Sequence, residues 1–373
     1  MELRQAERDD DVRQWAAIPG GPGAPMSGDP SLGDRESIRC CVARCLGAEV
    51  GSIRAIPAGL GTRRFYRVRC QGPELTLIAR IEAPEDPAGR PLGLAPEPPL
   101  EPIRALLERE GLPVPRRLGG DEAGTIDLLE DLGDRSLERA QAESPTRARS
   151  WYDTVVGLLP RLQRIAPTPG VVAFERRLDA SMLAYKADLF SAWSLPAALG
   201  RPARPSEREA LRTAFAWIAE QIGAAPRRLA HRDLQSRNIL IRDGVPYWID
   251  LQGALLAPPE YDLVCLLRDS YVELPEPWVE ELQEAARREL PDSPGAECFQ
   301  RRFDLLTVVR KAKDHARLLD AQSRRGIAAD PDHLATTVRA LRRAIRATGP
   351  LHPKLEPLAD LISGLPMPGG AGR

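Results

Sequence analysis

The sequence predicts an α+β protein of two lobes, a small lobe built on an antiparallel sheet and a larger lobe that is mainly helical. Short runs that alternate apolar and polar residues occupy 51–84 and return within 112–131, which is the pattern of half-buried strands. From Ser136 onward the apolar residues recur at helical spacing instead. A pair of short β-rich runs, 238–242 and 245–249, interrupts this helical part and is expected to form a hairpin.

Length and charge narrow the classes of function. The 373 residues suffice for two domains or one large bilobal domain, and a net charge of −1 argues against nucleic acid or a membrane surface as the main partner. Lysine occurs only at Lys186, Lys311, Lys313 and Lys354, and arginine supplies the remaining basic residues, which fits a GC-rich coding bias. No apolar run is long enough to span a bilayer and the first residues are charged, so we expect a cytoplasmic protein. The six cysteines follow no zinc spacing.

The element boundaries follow from turn residues and periodicity. Residues 1–33 and 364–373 are rich in Gly and Pro and are expected to be a flexible arm and a flexible tail, flanking a small lobe at 34–131 and a large lobe at 132–363. Asp34 is predicted to cap the first helix, and another helix is expected at 100–111. Strands are predicted at 52–56, 65–70, 75–82, 112–118 and 125–131, and further helices at 151–165, 178–193, 206–222, 303–320 and from Tyr261.

The stretch from Leu229 to Leu256 carries the candidate chemistry. Phosphoryl transfer needs a carboxylate near the acceptor hydroxyl and hard oxygen ligands that hold magnesium against nucleotide phosphates. Asp233 can supply the first, and Asn238 and Asp250 can supply the second. The turn pair Asp243-Gly244 would close a hairpin whose two ends bring Asn238 and Asp250 together. Each of these polar residues could instead be an ordinary turn or cap residue, but the three at this spacing favour a site.

This stretch resembles known kinases. HRDLQSRN and the following IDLQGALLAPPEYDLVCLLRD are similar to the H-R-D-x-x-x-x-N and D-F-G segments of the protein-kinase-like superfamily. Within it they resemble the aminoglycoside phosphotransferase and choline kinase-like family, and most closely the cytoplasmic anomeric N-acetylmuramate/N-acetylglucosamine kinases. The resemblance covers about 50–345. It implies a bilobal protein-kinase-like fold, ATP and Mg²⁺ as cofactors, and transfer of the γ-phosphoryl group to the anomeric hydroxyl of a small sugar. His231 is expected to be structural.

The resemblance also implies a nucleotide site in the small lobe. Gly59, Gly61 and Thr62 would lie at the phosphates, although two glycines alone fit an ordinary hairpin turn equally well. Arg80 stands where protein kinases place a phosphate-binding lysine, and its alternative role is a solvated strand residue.

Two features around that nucleotide site depend on neighbouring segments. Glu101 or Glu108 could pair with Arg80, and the sequence does not choose between them. The segment that includes Glu130 and Leu132 resembles the hinge, whose main chain would bind adenine.

Six residues are candidates for the acceptor site through the same resemblance: Arg237, Gln252, Asp262, Arg268, Asp269 and Arg310. The bland alternatives are a helix cap for Asp262, a surface salt bridge for Arg268 and Asp269, and a basic solvated helix face around Arg310. The chain departs from the sugar-kinase pattern at Gly253, where the family has aspartate, and at Lys186, where an acidic residue is usual.

Two other functions stay open at this point. One is a kinase of another small acceptor, such as an aminoglycoside, a choline-like compound or an amino alcohol. Those cationic acceptors would need an acidic cleft, whereas Arg268, Arg310 and Lys313 favour a neutral or anionic acceptor. The other is a non-catalytic nucleotide-binding module. A protein kinase is disfavoured because no activation segment ending in A-P-E follows Asp250. The sequence leaves the oligomeric state open.

Overall fold

The computed structural model describes residues 30–57, 63–72, 75–82, 97–292, 294–326, 330–348 and 352–367. The predicted arm and tail lie mostly outside these ranges. The chain divides into two units by its internal contacts, the first formed by 1–96 with 116–131 and the second by 97–115 with 132–373. The first unit contains the predicted sheet, and the second contains most of the helices.

The first unit is an antiparallel sheet with one helix. The helix is α1 (Pro30–Leu46), and the strands are β1 (Val50–Ile56), β2 (Arg64–Cys70), β3 (Thr76–Ile81), β4 (Arg117–Gly120) and β5 (Ile126–Glu130), in the order β1-β2-β3-β5-β4. Ile38 and Val42 of the helix are buried in one apolar core with Val68, Leu77 and Leu128 of the strands. Alternation of apolar residues along each strand fills this core, as the sequence pattern indicated.

The start of the first helix differs from the prediction. The helix begins at Pro30, so Asp34 lies inside it and does not cap it. The Asp34 carboxylate instead accepts hydrogen bonds from Arg64 Nε at 2.5 Å and from Tyr66 Oη at 2.6 Å. Asp34 therefore ties the helix to β2 through an ion pair that local spacing did not reveal.

The segment 97–115 belongs to the second unit, although it was expected in the small lobe. It contains α2 (Leu100–Arg109), which buries Leu100, Ile103, Leu106 and Leu107 on one face. Residues 112–115, expected to be extended in a strand of the sheet, form none, and Pro113 O instead accepts from Trp248 N at 2.7 Å. The apolar side of α2 and this backbone bond account for the different boundary.

The rest of the second unit is mainly helical. Its helices are α3 (Leu137–Glu143), α4 (Pro145–Arg164), α5 (Ala180–Leu199), α6 (Pro205–Gly223), α7 (Tyr261–Leu267), α8 (Glu276–Glu289), α9 (Ala296–Arg325), α10 (Pro331–Ala347) and α11 (Glu356–Gly364). The long helix α9 packs against α5, α7 and α10. No helix in the described part of the chain is long and apolar enough to cross a membrane.

Two short antiparallel strand pairs position the site. β6 (Arg228–Ala230) pairs with β9 (Leu255–Ala257), and β7 (Ile239–Arg242) pairs with β8 (Val245–Trp248) in the register Ile239↔Trp248. The turn between β7 and β8 has Asp243 at φ 51° and Gly244 at φ 81°. Two successive positive φ angles are typical of the tight turn that Asp-Gly favours, so the predicted hairpin is confirmed.

Candidate active site

The loop between β6 and β7 presents Asp233, and buried carboxylates hold its backbone. The Asp262 carboxylate, only 1 % exposed, accepts hydrogen bonds from the backbone N–H groups of His231 at 2.7 Å and Arg232 at 3.0 Å. Asp269 accepts in the same way from Ser236 N at 2.8 Å. Buried carboxylates that bind backbone amides fix a loop in one conformation. The loop backbone is therefore ordered by the helix that follows it in the chain and by the residues just after that helix.

Arg232 lies at the most constrained point of this loop. Its φ of 76° is in the left-handed region, which costs a non-glycine residue about 1–3 kcal/mol unless its surroundings fix it. Besides the bond from its N–H to Asp262, its carbonyl accepts from Arg310 Nη1 at 3.0 Å and from Cys265 Sγ at 3.4 Å. These contacts hold the peptide that orients the next residue, Asp233.

The Asp233 carboxylate is paired with Arg310, which donates to it through Nη2. Arg310 is buried, while the side chain of Asp233 is 32 % exposed and so reaches the surface of the second unit. Burial raises the pKa of Asp233, but the charges of Arg310 and Lys313 outweigh it and bring the pKa to about 2. Asp233 is therefore ionised at neutral pH and is a weak base. It can accept a hydrogen bond from an acceptor hydroxyl and orient it.

The hairpin brings Asn238 and Asp250 to the same end. Ile249 N donates to Asn238 O at 2.9 Å, and Asp250 follows with φ 65°. The Asn238 amide nitrogen donates to Asp233 O at 2.9 Å, and Gln252 Nε2 donates to Asp250 Oδ1 at 2.5 Å. Asn238 is thus bonded both to the backbone of Asp233 and to the residue just before Asp250.

The residues of this end fit a magnesium ion. The Asn238 nitrogen is engaged, which leaves its side-chain oxygen as the group suited to a metal, and oxygen ligands are those that Mg²⁺ prefers. Burial and the nearby charge of Asp233 raise the pKa of Asp250. An added cation would offset this repulsion. The described residues contain no group of three or more His, Cys, Asp or Glu suited to a metal, so phosphates and water would complete the coordination.

His231 has the structural role predicted for it. Its ring Nε2 lies 2.9 Å from Ile249 O, and its Nδ1 accepts from Asp233 N at 3.3 Å. A ring that accepts at Nδ1 and donates at Nε2 is the neutral tautomer. The imidazole therefore links the loop to the strand before Asp250.

The candidates for the acceptor site have other partners. Asp262 and Asp269 are buried against the loop backbone, so they position it and do not face a cleft. Arg268 binds Glu276 at 2.6 Å through Nη1, but its side chain is only 12 % exposed, so this is not the salt bridge on a solvated face that the alternative described. Arg237 binds Glu138 at 2.7 Å through Nε, and its guanidinium lies 3.8 Å from the centroid of the Tyr271 ring.

Two further candidates act on the functional carboxylates. Gln252 binds Asp250, and Arg310 binds Asp233. Both are buried. Gln252 and Arg310 thus contact the carboxylates of Asp250 and Asp233, whereas the sequence predicted that they contact the acceptor.

The nucleotide candidates are described only in part. Gly59, Gly61 and Thr62 lie outside the described residues. Arg80 is buried and paired with Asp127 at 3.0 Å and with Glu82, so it is not a solvated strand residue. Glu101 and Glu108, the partners suggested for it, both bind Arg104, at 2.6 and 2.8 Å.

The hinge candidates fall on either side of the boundary in the sequence, with Glu130 in the first unit and Leu132 in the second. Glu130 ends β5, and its N–H donates to Arg116 O at 2.9 Å, so this donor is already engaged. Leu132 is buried in the second unit.

Sequence reasoning named Arg310 and Lys313 as cations but missed the charged groups that surround them beside Asp233. Asp314 binds Arg310 at 2.9 Å, Lys311 at 2.8 Å and Lys313 at 2.9 Å. Lys186 is a further buried cation, bonded to Tyr261. Three of the chain's four lysines are therefore in or near this cluster, a signal that the codon-bias interpretation concealed.

Comparison with known proteins places this chain in a family. A family model described as "Phosphotransferase enzyme family" matches residues 52–297. The chain is 27% identical to the N-acetylmuramate/N-acetylglucosamine kinase of Pseudomonas aeruginosa, over 85% of this chain and 90% of that protein. It is 28% identical to the kinase of the same name from Neisseria meningitidis, over 67% of this chain and 75% of that protein.

Solved structures agree on the fold. The choline kinase of Streptococcus pneumoniae superimposes with a TM-score of 0.59 at 14% identity, covering 86% of this chain and all of that one (100%). A gentamicin complex of APH(2")-IIa superimposes with a TM-score of 0.54 at 14% identity, covering 85% and 97%. These likenesses confirm the predicted kinase-like fold. The family match covers more than half of the chain and removes support from a non-catalytic module. The chain therefore belongs to the phosphotransferase enzyme family and is an enzyme that transfers a phosphoryl group to a hydroxyl.

Proposed function

We propose that the protein is an ATP-dependent sugar kinase whose acceptor is an N-acetylated amino sugar, phosphorylated at its anomeric hydroxyl. The observation that carries this proposal is the geometry around Asp233, whose ionised carboxylate lies at the surface of the second unit and whose backbone carbonyl accepts a hydrogen bond from the Asn238 side chain. The identity to two N-acetylmuramate/N-acetylglucosamine kinases supports the choice of acceptor.

Asp233 would orient the acceptor hydroxyl in this reaction. Because the pKa of Asp233 is about 2, the carboxylate is too weak a base to remove the proton early. A loose transition state, in which the hydroxyl proton leaves late, suits such a group. Asn238 and Asp250 would hold magnesium, whose charge offsets that of the nucleotide phosphates. Gln252 and Arg310 would keep the two carboxylates in place.

The first unit would bind the nucleotide. Gly59, Gly61 and Thr62 would approach the phosphates, and the main chain near Glu130 and Leu132 would bind adenine. Arg80 is already paired with Asp127 and Glu82, so its proposed contact with phosphate requires it to exchange one of these carboxylates.

A second candidate function is a kinase of a different small acceptor. A streptomycin 6-kinase of Streptomyces griseus is 28% identical over 52% of this chain and 53% of that protein. The cations Lys313 and Arg310 beside Asp233 disfavour an acceptor that is itself a cation.

The test is ADP formation with Mg-ATP and a panel of N-acetylmuramate, N-acetylglucosamine, glucose, an aminoglycoside and choline. We expect turnover of the N-acetylated sugars and a sugar 1-phosphate in the phosphorus NMR spectrum. Asp233→Asn should lower kcat by about 10² to 10⁴ while ATP still binds. Turnover of the aminoglycoside or choline alone would refute the acceptor, and undiminished activity of Asp233→Asn would refute the role of Asp233.

A further inference from the structure

Lys186 is a buried cation without a carboxylate partner among the described residues. Its side chain lies on α5 and is 4 % exposed as a residue. Its ammonium donates one hydrogen bond, to Tyr261 Oη at 3.0 Å, and lies 5.1 Å from the centroid of that ring. A buried ammonium is unfavourable unless an anion compensates it. A phenol hydroxyl supplies no such charge.

The charges that act on Lys186 are mostly of its own sign. Burial and the positive charges of Lys313, Arg310 and Arg232 lower the pKa of Lys186 well below its usual value, against an opposing effect of the Cys265 thiol. Burial and Arg310 also lower the pKa of Lys313, against the opposing charges of Asp314 and Asp233. Both lysines therefore lie in a region with an excess of positive charge. We call Lys186 and Lys313 the lysine pair.

The nearby carboxylates are already shared among other cations. Asp314 binds Arg310, Lys311 and Lys313. Asp233 is paired with Arg310. These bonds leave Lys186 to be compensated by something that binds.

The lysine pair is close to the surface where the acceptor hydroxyl would bind. Lys313 is 24 % exposed and acts electrostatically on Asp233, and Arg310 acts on Asp233 and on both lysines. Tyr261, the partner of Lys186, begins α7, the helix whose Asp262 holds the backbone before Asp233. A molecule whose hydroxyl contacts Asp233 would have its other substituents near this positive charge.

We propose that the lysine pair binds an anionic group of the acceptor, a carboxylate or a phosphate, and that Lys186 determines the preference for an anionic over a neutral acceptor. The proposal rests on the proposed kinase function and specifies its substrate class. It accounts for a buried lysine whose charge nothing else in the described structure balances.

The experiment compares pairs of acceptors in which one member carries an anionic substituent and the other does not. N-acetylmuramate is paired with N-acetylglucosamine, glucuronate with glucose, and glucose 6-phosphate with glucose, and kcat/KM is measured for each. The wild-type protein should prefer the anionic member of at least one pair. Lys186→Met should lower kcat/KM for that acceptor roughly 10- to 100-fold, the effect of losing a charge-assisted hydrogen bond, through a higher KM. Its effect on the neutral member should stay below about 3-fold.

Two further variants make the result specific. Lys186→Arg keeps the charge and should retain most of the preference. Lys354→Met makes the same substitution at an exposed lysine and should change kcat/KM for neither acceptor. If Lys186→Met does not fold, the preference for the anionic acceptor is measured in the wild type, in Lys186→Arg and in Lys313→Met. An unchanged preference in Lys313→Met refutes the lysine pair.

The outcomes separate this inference from the proposed function. An equal loss for both members of a pair would show a structural role for Lys186, and a wild-type preference for neutral acceptors would refute the inference outright. Turnover of both N-acetylated sugars without an anion preference in any pair refutes only the lysine pair. Turnover confined to the glucose-derived acceptors, with a preference for the anionic member, supports the lysine pair and refutes the N-acetylated sugar. The glucuronate and glucose 6-phosphate arms decide between carboxylate and phosphate.

Discussion

The pKa values of the two candidate carboxylates, Asp233 and Asp250, are shifted in opposite directions. At the acceptor end, Arg310 and Lys313 outweigh the effect of burial, so the pKa of Asp233 is about 2. At the metal end, burial and the charge of Asp233 raise the pKa of Asp250, and the hydrogen bond from Gln252 does not compensate for them. Positive charges therefore dominate the surroundings of Asp233, whereas burial dominates those of Asp250.

This difference suits each carboxylate to the distinct task proposed for it. Asp233 is ionised at neutral pH without any added cation, which suits a group that orients a neutral hydroxyl. Asp250 gains most from an added cation, which suits a metal ligand. Substitutions around Asp233 and at Asp250 should therefore have different effects on stability, activity and magnesium binding.

The largest effect is expected from Arg310→Gln, which removes the counter-charge at the acceptor end. It breaks a buried pairing with both Asp233 and Asp314, and losing one partner of a buried ion pair costs about 3–5 kcal/mol of unfolding free energy. Chemical denaturation measures this loss. Arg302→Gln is the matched control because it breaks another largely buried pair from α9, with Glu260, away from Asp233. Arg302→Gln should destabilise the protein and leave kcat almost unchanged, whereas Arg310→Gln should lower kcat as well. Equal loss of kcat in both variants would contradict the role of Arg310.

The second effect concerns the metal end. Asp250→Asn removes the charge that would attract magnesium and should lower kcat by about 10²-fold or more. It should also abolish any rise in melting temperature that Mg²⁺ and ADP produce in the wild type. Asp243→Asn is the control, since it makes the same change at the exposed hairpin turn, where asparagine tolerates the positive φ. A full Mg²⁺-dependent shift in Asp250→Asn would argue against this ligand.

A smaller effect is expected from a substitution of Asp262, which binds the loop backbone before Asp233. Asp262→Asn leaves one acceptor oxygen for two backbone donors, those of His231 and Arg232, and turns an NH₂ group toward one of them. We expect about 1–3 kcal/mol lower stability and a lower kcat with little change in KM, because the loop moves and the acceptor contacts stay. Steady-state kinetics and thermal melts check this. A rise in KM alone would show that Asp262 contacts the acceptor after all.

The smallest effect is on pH dependence. The folded pKa of Asp233 is about 2, below the value near 3.9 of an unfolded chain, so its ionisation stabilises the fold above pH 3.9 and this contribution is lost as pH falls toward 2. Asp233 therefore adds no acid limb to kcat/KM between pH 5 and 8. In Arg310→Gln the pKa of Asp233 should rise, and activity should fall first on the acid side. Identical pH profiles in both proteins would contradict this assignment of the pKa.

Local sequence determined some parts of this molecule and long-range contacts determined others. The β7–β8 hairpin was predictable because Asp243-Gly244 imposes its own turn, and the pairing of Asn238 with the strand before Asp250 follows from it. The five-stranded sheet followed from alternation. The partners of Arg310, Arg80 and Asp34 were not predictable, because each pairs with a residue at least 30 positions away or on a different element, and charge alone does not say which carboxylate it meets.

The scarcity of lysine has a practical consequence for chemical labelling. Only four side chains carry a primary amine, and Lys186 and Lys313 among them have a lowered pKa, which increases the unprotonated, nucleophilic fraction at neutral pH. Amine-directed reagents should therefore label exposed Lys354 as an internal reference and report on Lys313 with little background. A bound anion would mask that amine and raise its pKa, so mass spectrometry of two peptides could follow occupancy of the acceptor site without any assay of turnover.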